Sequence, residues 1–171
     1  MNKTIIIEGP NNQGKSTLAN NIKQKFPIYD FQYIKTNQPK TDNTYKEYTD
    51  QILNIMYKDE NTIMDRFHLG EMVYPIIKNR KLMSLDDYLK LECLLKQTCG
   101  DVLLIMPITN VKLTLKINKI NKEEYIKPKE VKQEFELFNN IFEKSLLSKI
   151  KYDYTNEGDF WQILKYYING V

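Results

Sequence analysis

A three-layer α/β/α sandwich built on a parallel sheet of about five strands is the fold this sequence predicts. Three observations predict it. Short β-branched apolar runs alternate with amphipathic stretches from end to end. The first such run passes through a glycine-rich turn directly into a helical pattern. Finally, 171 residues with 42% hydrophobic content suffice for one sizeable core and are too few for two full ones, so 1–171 is read as a single domain.

Residues 4–8 are a β-branched run, and from Lys15 onward Leu18, Ala19, Ile22 and Phe26 recur at helical spacing until Pro27 breaks the helix. The aromatic stretch 28–34 predicts a second strand, and the polar segment 35–43, with Pro39 inside it, a loop. Tyr45, Tyr48, Ile52, Ile55 and Met56 predict a helix; residues 62–64 predict a short buried strand leading into Asp65-Arg66. Helices follow over 69–79, around Pro75, and over 85–97, where Ser84-Leu85-Asp86-Asp87 is the cap signal and Gly100 the stop. Residues 101–108 read as a buried strand. Two helices, 111–119 and 129–147, flank the charged stretch 118–128, and a strand at 151–154 and a helix at 160–168 complete the chain. Strands alternating with helices imply right-handed crossovers.

Charge narrows the function. The 25 basic and 22 acidic residues nearly cancel, and the excess of +3 is spread along the chain, so no nucleic-acid partner is expected. Arg66 and Arg80 are the only arginines, which restricts any planar phosphate clamp to those two. Cys93 and Cys99 stand six apart on one predicted helix, on different faces, and imply neither a disulfide nor a metal site. Met-Asn-Lys leads straight into the first strand without a signal-peptide core, and no apolar run approaches the roughly 20 residues of a membrane span. The expected setting is a reducing cytoplasm, with no membrane partner. The wealth of Lys, Asn and Ile suggests AT-rich coding, as in a low-GC bacterium or one of its viruses, whose compartment would be the host cytoplasm.

Residues 9–16, Gly-Pro-Asn-Asn-Gln-Gly-Lys-Ser, fit G-x-x-x-x-G-K-[ST] (Walker A) at every fixed position, between a strand and a helix. The fold expected is therefore that of the P-loop NTPases. Its glycines let successive N–H groups turn inward around phosphate oxygens, and the helix start adds its positive dipole end. The expected ATP contacts are Gly9, Asn11, Asn12, Gln13, Gly14, Lys15, Ser16 and Thr17, with Lys15 reaching the β- and γ-phosphates and Ser16 a ligand of Mg²⁺. Kinases, GTPases, motors and switches share this cradle, so the substrate is argued from elsewhere.

Asp65 stands at the C-terminal end of its strand, the edge at which open α/β sheets bind ligands, and is the second expected Mg²⁺ residue. Arg66 beside it offers a guanidinium to a phosphate. Lys15, Asp65 and Arg66 are the catalytic candidates.

Here the chain resembles thymidylate kinases and related deoxynucleoside monophosphate kinases, including small phage members. The likeness lies in Ile5-Ile6-Ile7-Glu8-Gly9 with its loop, in Asp65-Arg66-Phe67 with the trailing Tyr74, and in Lys122-Glu123-Glu124-Tyr125 before a long helix, as in the family's lid. The resemblance implies transfer of the ATP γ-phosphoryl group to a deoxynucleoside monophosphate, dTMP foremost, with Mg²⁺ as cofactor and a homodimer as the assembly. It implies that Arg66 binds the acceptor phosphate, that Glu8, Asn11, Lys35, Phe67, Glu71, Tyr74 and Tyr125 surround the acceptor, and that the lid, about 118–128, closes over ATP. Two features depart from the family. Asn11 replaces the aspartate that contacts the acceptor sugar, and the arginines of loop or lid are missing. The loop has Asn12 and Gln13 instead, and the lid has Lys116, Lys119 and Lys122, of which Lys119 and Lys122 are expected toward ATP. His68 is read as a capping or packing residue, and Tyr45, Tyr48 and Phe67 as aromatics that could stack on a base, although at helical spacing such residues are usually core. The alternatives are a deoxynucleoside kinase, whose carboxylate base could only be Asp42, and an ATP-dependent switch protein with a partner surface.

Overall fold

The computed structural model describes residues 2–41, 43–121 and 127–170. In chain order the elements are β1 (Lys3–Ile7), α1 (Lys15–Lys25), β2 (Gln32–Lys35), α2 (Thr44–Lys58), β3 (Thr62–Asp65), α3 (Gly70–Lys78), α4 (Leu85–Thr98), β4 (Asp101–Pro107), α5 (Val111–Asn121), α6 (Val131–Lys144), β5 (Ser148–Tyr152) and α7 (Phe160–Asn169). The strands form one sheet in the order β2-β3-β1-β4-β5, every pairing parallel. The five-stranded α/β sandwich expected from the sequence is the fold observed.

Period-two alternation in the strands creates the layers. Ile6, Met64, Leu104 and Met106 pack with side chains of α2, α3, α4 and α6. Their neighbours Ile5, Ile7, Ile63, Leu103 and Ile105 face the other way, onto α1 and α7. Ile5, Ile6, Ile7, Ile63, Leu104 and Ile105 are without exposure. Each contributes about 1.5–3 kcal/mol by burial, which fixes the strand register through side chains pointing both ways.

The chain runs from β1 outward to β2, returns to β3, then passes across β1 to β4. This reversal brings the loops after β1, β2, β3 and β4 to one sheet edge, the crevice where open α/β folds bind ligands.

Three elements differ in their bounds from expectation. The strand expected over 28–34 is confined to Gln32–Lys35, because Pro27 opens a 3₁₀ turn and Asp30 takes a left-handed conformation at φ 43°, leaving Ile28 exposed. The helix expected over 129–147 starts after a 3₁₀ turn at Pro128–Glu130 and stops at Lys144. Beyond it Ser145 is extended, and its hydroxyl and the Leu146 N–H both donate to the Glu92 carboxylate on α4. Those bonds pull residues 145–147 off the helix, so the last strand begins at Ser148 instead of 151. Cys93 is exposed and Cys99 buried, both as free thiols. Among the described residues no helix is long and apolar enough to cross a membrane.

Candidate active site

The loop over 9–16 begins where β1 ends. Gly9 has φ 155°, and a Cβ there would sit 3.0 Å from Met106 Cγ and 3.2 Å from the Pro107 carbonyl, so only glycine lets the chain turn so close to β4. Gly14, left-handed at φ 72°, caps α1, and its carbonyl accepts the first helical bond from the Leu18 N–H. Lys15 is 6% exposed, and its ammonium donates to the carbonyls of Gly9 at 2.9 Å and Pro10 at 2.6 Å. Burial, then the nearby Arg66 charge, lowers this lysine to about 8, while Glu134, Asp65 and Glu8 act the other way. It is a cation held against the loop without a full counter-charge.

Three consecutive loop side chains or backbones are tied to the two helices that flank the lid. The Asn11 N–H donates to Glu134 Oε1 on α6 at 3.0 Å. Asn12, at φ 57°, donates through its amide to Asn118 Oδ1 on α5 at 2.7 Å. Gln13, 1% exposed, donates to Thr114 Oγ1 on α5 at 2.7 Å and accepts from the Thr109 N–H at 2.8 Å. The Gln13 side chain is thus committed to the segment after β4. Thr17 is exposed on the first turn of α1.

Asp65, at the end of β3, is 1% exposed and accepts from Ser16 Oγ at 2.5 Å and from the Tyr33 hydroxyl at 2.6 Å, both on Oδ2. Parallel register puts Asp65 opposite Ile7 on β1 and Lys35 on β2, with Tyr33 two residues before Lys35 on that neighbouring strand. One buried carboxylate with a serine hydroxyl is an oxygen donor set suited to a hard cation that keeps several waters. Among the described residues no cluster of three or more His, Cys, Asp or Glu could hold a metal.

Arg66 follows in a left-handed conformation, φ 71°, with its N–H on the Ile7 carbonyl. This turn exposes its side chain at the mouth of a pocket whose lining includes Glu8, Gln38, Tyr48, Phe67, Glu71, Tyr74 and Arg80. Glu8 accepts the N–H groups of Phe67, Leu69 and Gly70 at 2.8–3.0 Å, capping α3 and fixing the turn that presents Arg66. Burial raises Glu8 above the ordinary carboxylate value, against the lowering effect of His68 and these N–H groups. Burial likewise raises Glu71 and Glu134.

Of the residues singled out in the sequence, Glu8, Arg66, Phe67, Glu71 and Tyr74 line this one pocket, next to Lys15, Ser16 and Asp65. Lys35 is placed otherwise: it lines the adjoining cavity, with Glu47 and Gln51, on the other side of the segment after β2. Lys119 is exposed on α5; Lys122 and Tyr125 lie outside the described residues, as does Asp42. His68 is fully buried with Nε2 3.0 Å from Glu92 Oε1, a packing residue as read from the sequence. Tyr48 and Phe67 are core residues in edge-to-face contact, 4.8 Å between centroids, although both also form pocket wall.

The sequence reading passed over Tyr33 and Glu134, and named Arg80 only as one of the two possible phosphate clamps. Of the two residues missed, Glu134 carried a signal. Val131, Phe135, Phe138 and Phe142 form the apolar stripe of α6, and position 134 falls within that stripe, where a carboxylate is buried and must have a partner.

No protein-family model matches the chain. The thymidylate kinase of Clostridium novyi (strain NT) is 32% identical over 97 residues, a stretch covering 50% of this chain and 45% of that one. The match thus spans less than half of that relative's length. Three solved structures share the fold. The YorR protein of Bacillus subtilis, in complex with phosphorylated GDP, aligns with TM-score 0.74 at 18% identity, covering 95% of this chain and 96% of its own. Deoxyadenosine kinase from M. mycoides, with bound dATP, gives TM-score 0.60 at 14% identity over 97% and 99% of the two chains. Polyphosphate kinase 2 from Arthrobacter aurescens TC1 gives 0.64 at 13% identity, over 99% of this chain and 68% of that one. The resemblance to thymidylate kinases read in the sequence is met by the Clostridium novyi relative over half of this chain, and the expected α/β fold by the three solved structures.

Proposed function

We propose that this chain transfers the γ-phosphoryl group of ATP to a deoxynucleoside monophosphate, with thymidylate the first acceptor to test. The observation that carries the reading is the direct adjacency of the Lys15, Ser16 and Asp65 cluster to the pocket at whose mouth Arg66 stands. A donor cradle and an acceptor cleft meet at one sheet edge. The name of the Clostridium relative favours thymidylate.

On this reading the loop N–H groups and Lys15 bind the donor phosphates, and Arg66 orients the acceptor phosphate for in-line attack. Ser16 and Asp65 would hold Mg²⁺, which when bound neutralises charge on the donor phosphates. An acceptor phosphate is already an anionic nucleophile, so the residues position and neutralise without removing a proton. Glu8 has its carboxylate on three N–H groups and serves as a cap for the Arg66 turn.

The test is incubation with ATP and Mg²⁺ and each of the four canonical deoxynucleoside monophosphates, or thymidine, with diphosphate and monophosphate products followed by chromatography and Lys15→Ala as control. Lys15-dependent conversion of a monophosphate supports the reading. Conversion of thymidine alone would move the assignment to a nucleoside kinase, and ATP binding without turnover would favour a switch protein.

A further inference from the structure

Two residues beyond Arg66 the side chain of His68 leaves the turn and enters the core, where it and Glu92 of α4 are both without exposure. His68 Nε2 lies 3.0 Å from Glu92 Oε1. The same carboxylate accepts from the Tyr88 hydroxyl at 2.6 Å, from Ser145 Oγ at 2.7 Å and from the Leu146 N–H at 2.5 Å. Burial pushes Glu92 up, yet His68, then Ser145 and Tyr88, bring its carboxyl below the ordinary value, so it stands ionised and Nε2 carries the donated proton.

Packing alone does not call for this pair. Apolar side chains of similar volume in place of a buried polar pair are often neutral or stabilising. His68 Nδ1 is also buried without a hydrogen-bond partner, a cost that a leucine or phenylalanine would not carry. What the pair supplies is direction. Tyr88 on α4 and the segment after α6 fix the Glu92 carboxylate without His68, so the fourth bond fixes the imidazole and, with it, the middle of the turn. From the other side Glu8 holds the N–H groups of Phe67, Leu69 and Gly70. Between these two anchors Arg66 sits at φ 71°, a conformation that persists only where the surroundings over-determine it. His68 also backs Phe67 edge-on, ring centroids 5.2 Å apart, and Phe67 lines the pocket at whose mouth Arg66 stands.

We propose that His68 and Glu92 are positioning residues for Arg66, aiming its guanidinium at the acceptor phosphate by locking the 66–70 turn from the side opposite Glu8. The proposal rests on the reading that Arg66 takes the acceptor phosphate. Both residues act through the turn and not on the substrate. A carboxylate on α4 thereby sets the geometry of a site built from the loops after β1 and β3.

The experiment is a matched pair. His68→Leu and Ser145→Ala each remove a hydrogen bond from Glu92 Oε1, so a role in stability alone predicts similar consequences for both. His68→Gln keeps an N–H able to reach that oxygen. Thermal melting establishes that each variant is folded, and His68→Asn, too short to reach Glu92, takes the place of His68→Leu if that variant is not. His68→Leu should raise the thymidylate KM and lower kcat/KM by about ten- to a hundredfold, with ATP affinity within about twofold of wild type. Ser145→Ala should stay within about threefold of wild type, and His68→Gln should recover most of the loss. Amide hydrogen exchange at Phe67, Leu69 and Gly70 reads the turn without any substrate. Corrected for global stability, it should quicken about tenfold or more in His68→Leu and not in Ser145→Ala.

Equal acceptor losses in the two variants, or a folded His68→Leu with wild-type acceptor kinetics, would overturn the proposal, as would a glutamine that recovers nothing. If the wild type turns over no acceptor, the kinase reading fails and the exchange comparison decides the locking of the turn by itself. Faster exchange confined to the His68 variant upholds it, and unchanged exchange rejects it.

Discussion

Ser16, in the first turn of α1, and Tyr33, on β2, donate to the same oxygen of Asp65, at 2.5 and 2.6 Å. Two strands and a helix start thus converge on one carboxylate oxygen. If Ser16 and Asp65 hold Mg²⁺, Tyr33 orients the carboxylate without touching the cation. Asp65→Asn should then raise the Mg²⁺ concentration for half-maximal activity by on the order of 10–100-fold, and Tyr33→Phe by a few-fold. A magnesium titration of initial rates checks both; equal effects would mean that Tyr33 is itself a ligand or that Asp65 is not one.

Lys15 lies at about 8, brought down by burial and by Arg66 from an ordinary value of 10.5. Its ammonium is lost as pH rises through about 8, so ATP affinity should fall roughly fivefold between pH 8 and 9, with Lys15→Met weak and flat across the same range. Between about pH 8 and 10.5 the unfolded chain holds this proton and the folded one does not, so this group makes folding stability increase with pH in that window. Fluorescent-nucleotide titration and denaturant melts at stepped pH measure the two halves independently.

Arg66 occupies a left-handed conformation that non-glycine residues adopt at a cost of order 1 kcal/mol. Arg66→Gly should therefore leave stability unchanged or raise it by up to about 1 kcal/mol, while acceptor KM rises and kcat/KM falls and ATP affinity holds. Arg66→Ala should show the same kinetic loss without the gain in stability. A destabilised glycine variant would show that the turn is not strained.

Glu8→Ala strands three buried N–H groups, those of Phe67, Leu69 and Gly70, and should cost about 3 kcal/mol or more. Glu92→Ala removes the shared partner of His68, Tyr88, Ser145 and Leu146, with a loss of similar size. By contrast Asp50→Ala breaks only the exposed i,i+4 pair with Lys46 and should change stability by about 0.5 kcal/mol or less. Urea unfolding of the three variants ranks them.

The strands, the glycine-rich loop, and the edge on which Asp65 and Arg66 stand were legible because they are local: side-chain period, a fixed eight-residue spacing, and the end of a buried run. The last helix boundary was not. Residues 145–147 leave the helix because Glu92, more than fifty positions earlier, captures their hydroxyl and N–H groups. Lys35 was expected near the acceptor through the family resemblance, yet it lines a different cavity from Arg66.

The sequence by itself determined that β1 runs into a loop able to surround phosphates and that an Asp-Arg pair ends β3, since both follow from backbone geometry and residue order. Only the tertiary structure decided what meets them: Tyr33 on Asp65, Glu134 on Asn11, and Arg80 beside Glu71 in the pocket. These contacts join residues far apart in the chain, and their partners are chosen by packing and by the need to pair buried polar atoms, neither of which leaves a periodic trace in the sequence.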